Sequence, residues 1–231
     1  MKHKAPVGVI GAMQIEIEGL RAAMTDVTEE TVSGVKFTRG KLCGADVVAA
    51  VCGVGKVFAA LAAEAMILRY APRALLNTGV AGGLAEGLRV GDIVLADAVV
   101  QHDMDTTPLG DPPGLLSGLG IVRIPTDEKL LAALKKAAER AGFSHRVGTI
   151  ATGDQFIASA AQKARIVKEF GAIACEMEGG AIGQVAHVNG VPFAALRAIS
   201  DGGDGMEFSA FVALAAARSV AMTKEFIKSI G

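Results

Sequence analysis

Aromatic side chains are nearly missing from this 231-residue chain, which has no tryptophan, one tyrosine and nine phenylalanines. An interior without them must rest on Ala, Val, Leu and Ile, and apolar residues make up 51% of the sequence. That supply is enough for one sizeable core. Cysteine is scarce too: Cys43, Cys52 and Cys175 form no C-x-x-C pair, so buried reduced thiols are expected rather than a disulfide framework. There is no surplus of positive charge, since 23 Lys and Arg face 24 Asp and Glu for a net charge of -1. Nucleic acid is therefore not an expected partner. Long hydrophobic runs are lacking as well. Each apolar stretch is cut by charge, Gly or Pro well before the roughly 20 residues of a membrane-spanning helix, so no membrane association is expected. The start, Met1 to Pro6, is basic, but the apolar stretch behind it runs only from Val7 to Met13. A secretory signal needs more, and a cytoplasmic location follows as an expectation.

What is present is an alternation of short Val- and Ile-rich runs with longer amphipathic stretches. This predicts an α/β fold, a single domain over 1–231 with helices on both faces of a mixed central sheet. Val7–Ala12 reads as a strand and Gln14–Met24 as the helix after it. Thr31–Arg39 and Asp46–Val51 read as a hairpin around Gly40–Gly44. Lys56–Tyr70 is an Ala-rich helix stopped by Pro72, followed by a buried strand at Ala74–Thr78. Asp92–Ala96 is a strand, and His102–Leu119 a long loop with three prolines, of the kind that carries function. Thr126 or Asp127 caps a helix with Leu130, Leu131, Leu134 and Ala138 on one face, ending near Gly142. A strand at Arg146–Ala151, a capping box of Ser159 with Gln162, and a strand at Ala172–Cys175 come next. A helix at Glu178–Val188, a strand at Phe193–Ile199 and a helix at Phe208–Ile230 complete the chain.

Ligands of α/β proteins gather where glycine turns leave strand ends. Gly8-Val9-Ile10-Gly11 misses the dinucleotide fingerprint, and Gly53-Val54-Gly55-Lys56 lacks the span and the Ser or Thr of a P-loop. Neither supports a cofactor. Asn77-Thr78-Gly79-Val80-Ala81-Gly82-Gly83 is richer, because its glycines permit close backbone approach and its N–H groups suit an anion or a sugar oxygen. A purely structural tight turn is the alternative. Acids stand at predicted strand ends: Glu16 after the first, Glu176 and Glu178 around Met177, and Asp201 after Arg197-Ala198-Ile199-Ser200. Solvated loop acids account for them equally well when each is taken alone. Together they suit a reaction in which one carboxyl protonates a leaving group, another holds hydroxyls and a third activates water. His102-Asp103-Met104-Asp105 could suggest a metal cluster, but no other histidine lies at ligand spacing, so a structural histidine and no metal are expected.

Five motifs in order carry a resemblance. Ile10-Gly11-Ala12-Met13 with Glu16, Asn77-Thr78-Gly79-x-Ala81-Gly82-Gly83, Gly153-Asp154-x-Phe156-Ile157, Glu176-Met177-Glu178 and Arg197-Ala198-Ile199-Ser200-Asp201 resemble the 5'-methylthioadenosine/S-adenosylhomocysteine nucleosidases of the purine nucleoside phosphorylase-like superfamily. The resemblance implies a three-layer α/β/α fold, a homodimer, no cofactor, and hydrolysis of an N-glycosidic bond to adenine and a 5-thio-substituted ribose. It makes Asp201, positioned by Ser200, the acid at purine N7, and Glu16, near Arg197, the base that activates water. Glu178 would accept the ribose hydroxyls, with Glu176, Met177, Ala81 and Gly82 close to the substrate. Phe156 would stack on adenine and the backbone of Ile157 would read its edge. Met13, Val54 and Phe208 would wall the alkylthio end, joined by Thr106 and Leu109 from the partner subunit.

Two residues depart from the family's pattern: Val80 stands where Ser is usual, and Leu109 where an aromatic residue is common. Three alternatives fit less of the sequence. A phosphorylase of the uridine type would carry Gly-Asp-Pro-x-Arg where Gly11-Ala12-Met13-Gln14-Ile15 stands, and Glu16 would repel phosphate. A futalosine-type hydrolase would want a basic residue in the 5' pocket, and none is evident. A non-catalytic nucleoside sensor would have no use for all three acids.

Overall fold

A computed structural model describes residues 5–202 and 205–231. Met1–Lys4, most of the basic start, lie outside the described residues. One mixed sheet of ten strands organises the rest. Strand β1 (Val7–Gly11) is buried along its whole length and leads into helix α1 (Gln14–Arg21). Strands β2 (Thr25–Val32), β3 (Val35–Leu42) and β4 (Ala45–Val51) form an antiparallel arm. Helix α2 (Lys56–Tyr70) crosses to β5 (Ala74–Gly83), and β6 (Ile93–Gln101) follows. After the long loop come β7 (Ile124–Pro125), α3 (Glu128–Ala141), β8 (His145–Thr152), α4 (Ala160–Phe170) and β9 (Ala174–Glu176). The chain ends with α5 (Gly179–Val188), β10 (Phe193–Asp201) and α6 (Gly205–Ile230).

The pairing explains why the site forms where it does. Strands β4, β1, β5 and β10 lie side by side and parallel, so their carboxyl ends emerge together. Beyond β10 the order continues through β6, β8 and β9 back to β5, so these five strands close on themselves. Parallel strands covered on both faces need near-continuous apolar runs, which VGVIG and FAALRAISD supply. Helices α2 and α5 pack over one face of the sheet, and α1, α3 and α6 over the other. The expected three-layer α/β/α architecture is thus present.

Several expected boundaries move. Thr31–Arg39 is not one strand, because Ser33 and Gly34 both take positive φ in a two-residue turn that separates β2 from β3. The next turn falls at Cys43-Gly44, which leaves Cys43 exposed while Cys52 and Cys175 are buried as expected. Helix α1 stops at Arg21 instead of Met24. Strand β6 runs on to Gln101, and β9 is shifted to end at Glu176. The Gly79–Gly83 segment is not a turn: it is the last part of β5, hydrogen-bonded to β10 and β9. Asp127, rather than Thr126, caps α3 by accepting the Leu130 N–H at 2.9 Å. Ser159 does precede α4, but no capping box forms, as Gln162 bonds Gln155 instead.

A buried hydroxyl cluster fastens α6 to the sheet. Thr78 Oγ1 lies 2.7 Å from Ser219 Oγ and 2.8 Å from Thr223 Oγ1, with all three residues fully enclosed. Thr78→Val would take a shared partner from both helix hydroxyls. It is expected to destabilise the protein by about 1–3 kcal/mol, read as a lower urea midpoint at unchanged slope.

Candidate active site

Glu16 sits in the first turn of α1, three residues after the helix-capping position Met13, and reaches back over the helix start. Its Oε2 accepts the N–H groups of Ala12 at 2.7 Å and Met13 at 2.9 Å, and Oε1 accepts that of Val80 at 2.9 Å. Gly79 is needed here, since a Cβ at that position would overlap Glu16 Oε1. Burial pushes the Glu16 carboxyl up, against the pull of the Arg197 guanidinium and the three N–H donors. Oε1 retains one acceptor position, which suits a water. The group that holds Glu16 is a backbone N–H, so Val80 in place of Ser leaves this contact intact.

Arg197, on β10, is 1% exposed. Its Nη2 donates to Asn77 Oδ1 and to Glu176 Oε2, and Nη1 donates to the Leu196 carbonyl at 2.9 Å. Both oxygens of Glu176 are held: Oε2 also accepts the N–H groups of Glu178 and Gly179 at the start of α5, and Oε1 accepts a hydrogen bond from Thr152 Oγ1. The resemblance implies Arg197 near Glu16 and Glu176 close to the substrate. Arg197 and Glu176 form a buried ion pair in which Glu176 faces the cavity. Arg197 is absent from the cavity wall.

Glu178 is different. Its Oε1 accepts the Gly55 N–H at 2.9 Å, and no described protein group bonds the other oxygen. Burial, reinforced by the neighbouring Glu176 charge and opposed by Arg197, pushes its carboxyl up to about 8. Across the cavity Asp201, at the end of β10, accepts a hydrogen bond from Ser200 Oγ at 2.7 Å, and both side chains are buried.

These acids surround a cavity of about 260 Å³. Met13, Glu16, Val54, Ala81, Gly82, Phe156, Ile157, Glu176, Met177, Glu178, Ser200, Asp201 and Phe208 all line it, as expected from the sequence. Phe156 meets Phe208 edge to face, their ring centres 5.6 Å apart. Thr106 and Leu109 are not part of this wall. Leu109 is 82% exposed at the tip of the long loop, and Thr106 bonds Asp111 within that loop.

The sequence did not flag Asn77, Thr152 and Gly55 as holders of site groups, nor Gln155 and Cys175 as lining residues. Asn77 and Gly55 lay in motifs already noted, whereas Thr152 and Cys175 had no signal beyond their strand. Burial and then the Asp201 charge push the Cys175 thiol up to about 12, so it stays neutral. His102 is a buried loop histidine packed on Gly153, and burial pushes its imidazole down. Among the described residues no three His, Cys, Asp or Glu side chains are grouped to hold a metal.

A sheet of this topology with carboxyls at its converging strand ends defines a class, and the family model described as the phosphorylase superfamily matches residues 6–228. Within that class, a 5'-methylthioadenosine/S-adenosylhomocysteine nucleosidase of Shewanella baltica is 38% identical, over 97% of this chain and 97% of its own. The Neisseria meningitidis enzyme of the same name, solved with methylthio-immucillin-A, superposes with a TM-score of 0.95 at 38% identity, covering 98% of this chain and 100% of that one. A Helicobacter pylori structure described as futalosine hydrolase superposes at 0.92 with 34% identity, covering 96% and 97%. The chain belongs to the phosphorylase superfamily and, within it, to the 5'-methylthioadenosine/S-adenosylhomocysteine nucleosidase family.

The raised Glu178 carboxyl has a consequence for stability. Between the ordinary glutamate range and about 8 the folded protein keeps a proton that the unfolded chain has released, so stability falls as pH rises through that window. Glu178→Gln removes this slope. The variant should be more stable than the parent by a few kcal/mol at about pH 9 and differ little at about pH 4. Parallel stability curves for the two proteins would contradict the assignment.

Proposed function

We propose that this chain hydrolyses the N-glycosidic bond of 5'-methylthioadenosine and S-adenosylhomocysteine, and of 5'-deoxyadenosine, releasing adenine and the 5-substituted ribose. The observation that carries this reading is the placement of three acids, Glu16, Glu178 and Asp201, on one small cavity with an aromatic wall. Glycosidic cleavage needs charge managed at three points. The departing base must gain a proton, the sugar must carry positive charge, and water must lose a proton. Asp201, oriented by Ser200, delivers the proton to purine N7. Glu178 accepts the ribose hydroxyls and stabilises the cationic sugar. Glu16 takes the proton of the attacking water through its remaining Oε1 lone pair. Phe156 stacks on adenine, Ile157 reads its edge, and Met177 lies against the sugar. Met13, Val54 and Phe208 receive the alkylthio group.

The charge balance favours water over phosphate. Among the described residues the one buried cation, Arg197, is paired with Glu176, and Glu16 would repel a phosphate dianion. A second reading, hydrolysis of a futalosine-type nucleoside, is favoured by the likeness to the Helicobacter pylori structure described by that activity. The apolar 5' wall speaks for the methylthio substrate.

We also read the chain as one cytoplasmic domain that works as a homodimer. Among the described residues no helix is long and apolar enough to cross a membrane. Val57, Phe58 and Leu68 on α2, Val188 on α5 and Leu109 on the long loop are exposed apolar side chains, which supports burial against a second copy. Thr106 and Leu109 would then close the partner's 5' pocket.

In phosphate-free buffer the protein should release adenine from 5'-methylthioadenosine, with added phosphate giving no acceleration. Asp201→Asn and Glu16→Gln should each lower kcat by about 10²–10⁴-fold. Product formed only with phosphate would overturn the hydrolytic reading, and faster turnover of aminodeoxyfutalosine would transfer it to the second substrate. Light scattering should give twice the 23.6 kDa chain mass. Leu109→Asp should raise KM for 5'-methylthioadenosine about ten-fold while leaving adenine affinity unchanged, if the loop serves the 5' end.

A further inference from the structure

A closed ring of polar contacts lies beside the cavity and none of the roles above uses it. Lys56 Nζ pairs with Asp103 Oδ1 at 2.8 Å, and the other oxygen of Asp103 accepts the Asp154 N–H at 2.9 Å. Asp154 Oδ1 in turn accepts the Lys56 N–H at 2.7 Å, which completes the circuit. Lys56 Nζ also donates to Gln101 Oε1 at 3.2 Å, and Gln101 Nε2 donates to Gln184 Oε1 at 2.7 Å. The ring itself fastens three segments far apart in sequence, the start of α2, the end of β6 and the loop after β8, and Gln184 ties α5 to it.

Two of those segments carry site groups. Lys56 directly follows Gly55, whose N–H holds Glu178. Asp154 lies two residues before Phe156. Gly55 has φ of 101°, and a Cβ there would sit 3.0 Å from Asp154 Oδ1, so the turn is packed directly onto the ring. Despite burial, which pushes it up, the Asp103 carboxyl is held down by Lys56 and the Asp154 N–H. It therefore accepts as a charged group, with stronger hydrogen bonds than a neutral one.

We propose that Lys56 and Asp103 are positioning residues that set the Gly55 N–H, and through it Glu178, at a fixed distance from the Phe156–Ile157 wall. The inference rests on reading Glu178 as the acceptor for the ribose hydroxyls. Ligand affinity and the chemical step should then both depend on a lysine that is not part of the cavity wall. A mutant cycle tests this, with methylthio-immucillin-A as the binding probe and 5'-methylthioadenosine as substrate. Lys56→Met and Asp103→Asn should each weaken analogue binding by about ten-fold and lower kcat/KM by about the same factor, and Lys56→Arg should recover most of the loss. Lys56→Met added to Glu178→Gln should cost less than about two-fold more than Glu178→Gln alone, because both act through one contact. Unchanged affinity, additive losses, or equal failure of Met and Arg at position 56 would overturn the proposal. Urea midpoints for each variant separate these effects from unfolding. A parent protein that binds the analogue but releases no adenine would refute the proposed reaction alone, and the binding cycle would still decide the role of Lys56.

Discussion

A guanidinium sealed inside the sheet is the constraint around which this protein is arranged. Burying a cation is costly unless every donor is met and its charge is balanced, and Arg197 meets Glu176, Asn77 and its own strand's backbone. Because Arg197 is inward on β10, Glu176 must come to it from β9, and Asn77 from β5, so the pair fixes three strands at their converging ends. Glu16 and Glu178 also lie within its field. One cation thus faces more acids than it can neutralise in a place where water cannot screen them. At Glu178 burial and the neighbouring Glu176 charge outweigh the pull of Arg197, and the carboxyl is pushed up to about 8. In the proposed reaction, ligand hydroxyls donating to Glu178 would favour its ionised form at the moment when positive charge develops on the sugar.

Glu16 and Glu176 are held by backbone N–H groups, which has a different merit. Glu16 takes three N–H groups and Glu176 takes two, all from segments at a helix start or a strand end. Such donors are fixed by the fold and need no side-chain ordering, so they place a carboxylate with little loss of rotamer entropy. They are also indifferent to the side chain that bears them. Val80 illustrates the point: its departure from the family's usual residue changes the side chain facing the cavity while the N–H to Glu16 persists.

This explains which parts of the molecule were legible. Acids at the ends of apolar runs are visible as residues, and Glu16, Glu178 and Asp201 were found in that way. The distinction between Glu176 and Glu178 was not visible, because it depends on which strand brings Arg197 alongside, a long-range fact with no local pattern. The Ser33-Gly34 turn was missed because β2 is a polar, exposed strand without the alternation that marks a half-buried one. The Gly79–Gly83 segment was misread for the opposite reason. Glycines ordinarily punctuate turns, yet here they thin a strand so that Glu16 can lie against it.

The 5' end of the ligand poses a problem that the fold leaves to other segments. Relatives described as a methylthioadenosine/adenosylhomocysteine nucleosidase and as a futalosine hydrolase share this fold at similar identity. The sheet and its acids therefore govern the bond broken and do not by themselves choose the 5' group. The residues proposed for that region, Met13, Val54 and Phe208, are all apolar, and Val54 is half exposed. An apolar wall rewards a methylthio group by burial but discriminates weakly, since each methylene is worth only about 1 kcal/mol. Sharper selection requires polar groups or steric closure supplied from outside the wall. The long loop is the segment with the reach to do this, being joined to the scaffold at Gln101 and exposed at Leu109. On the proposed reading chemistry and selection are separated in the molecule: the strand ends serve the first, and the long loop of a second copy serves the second.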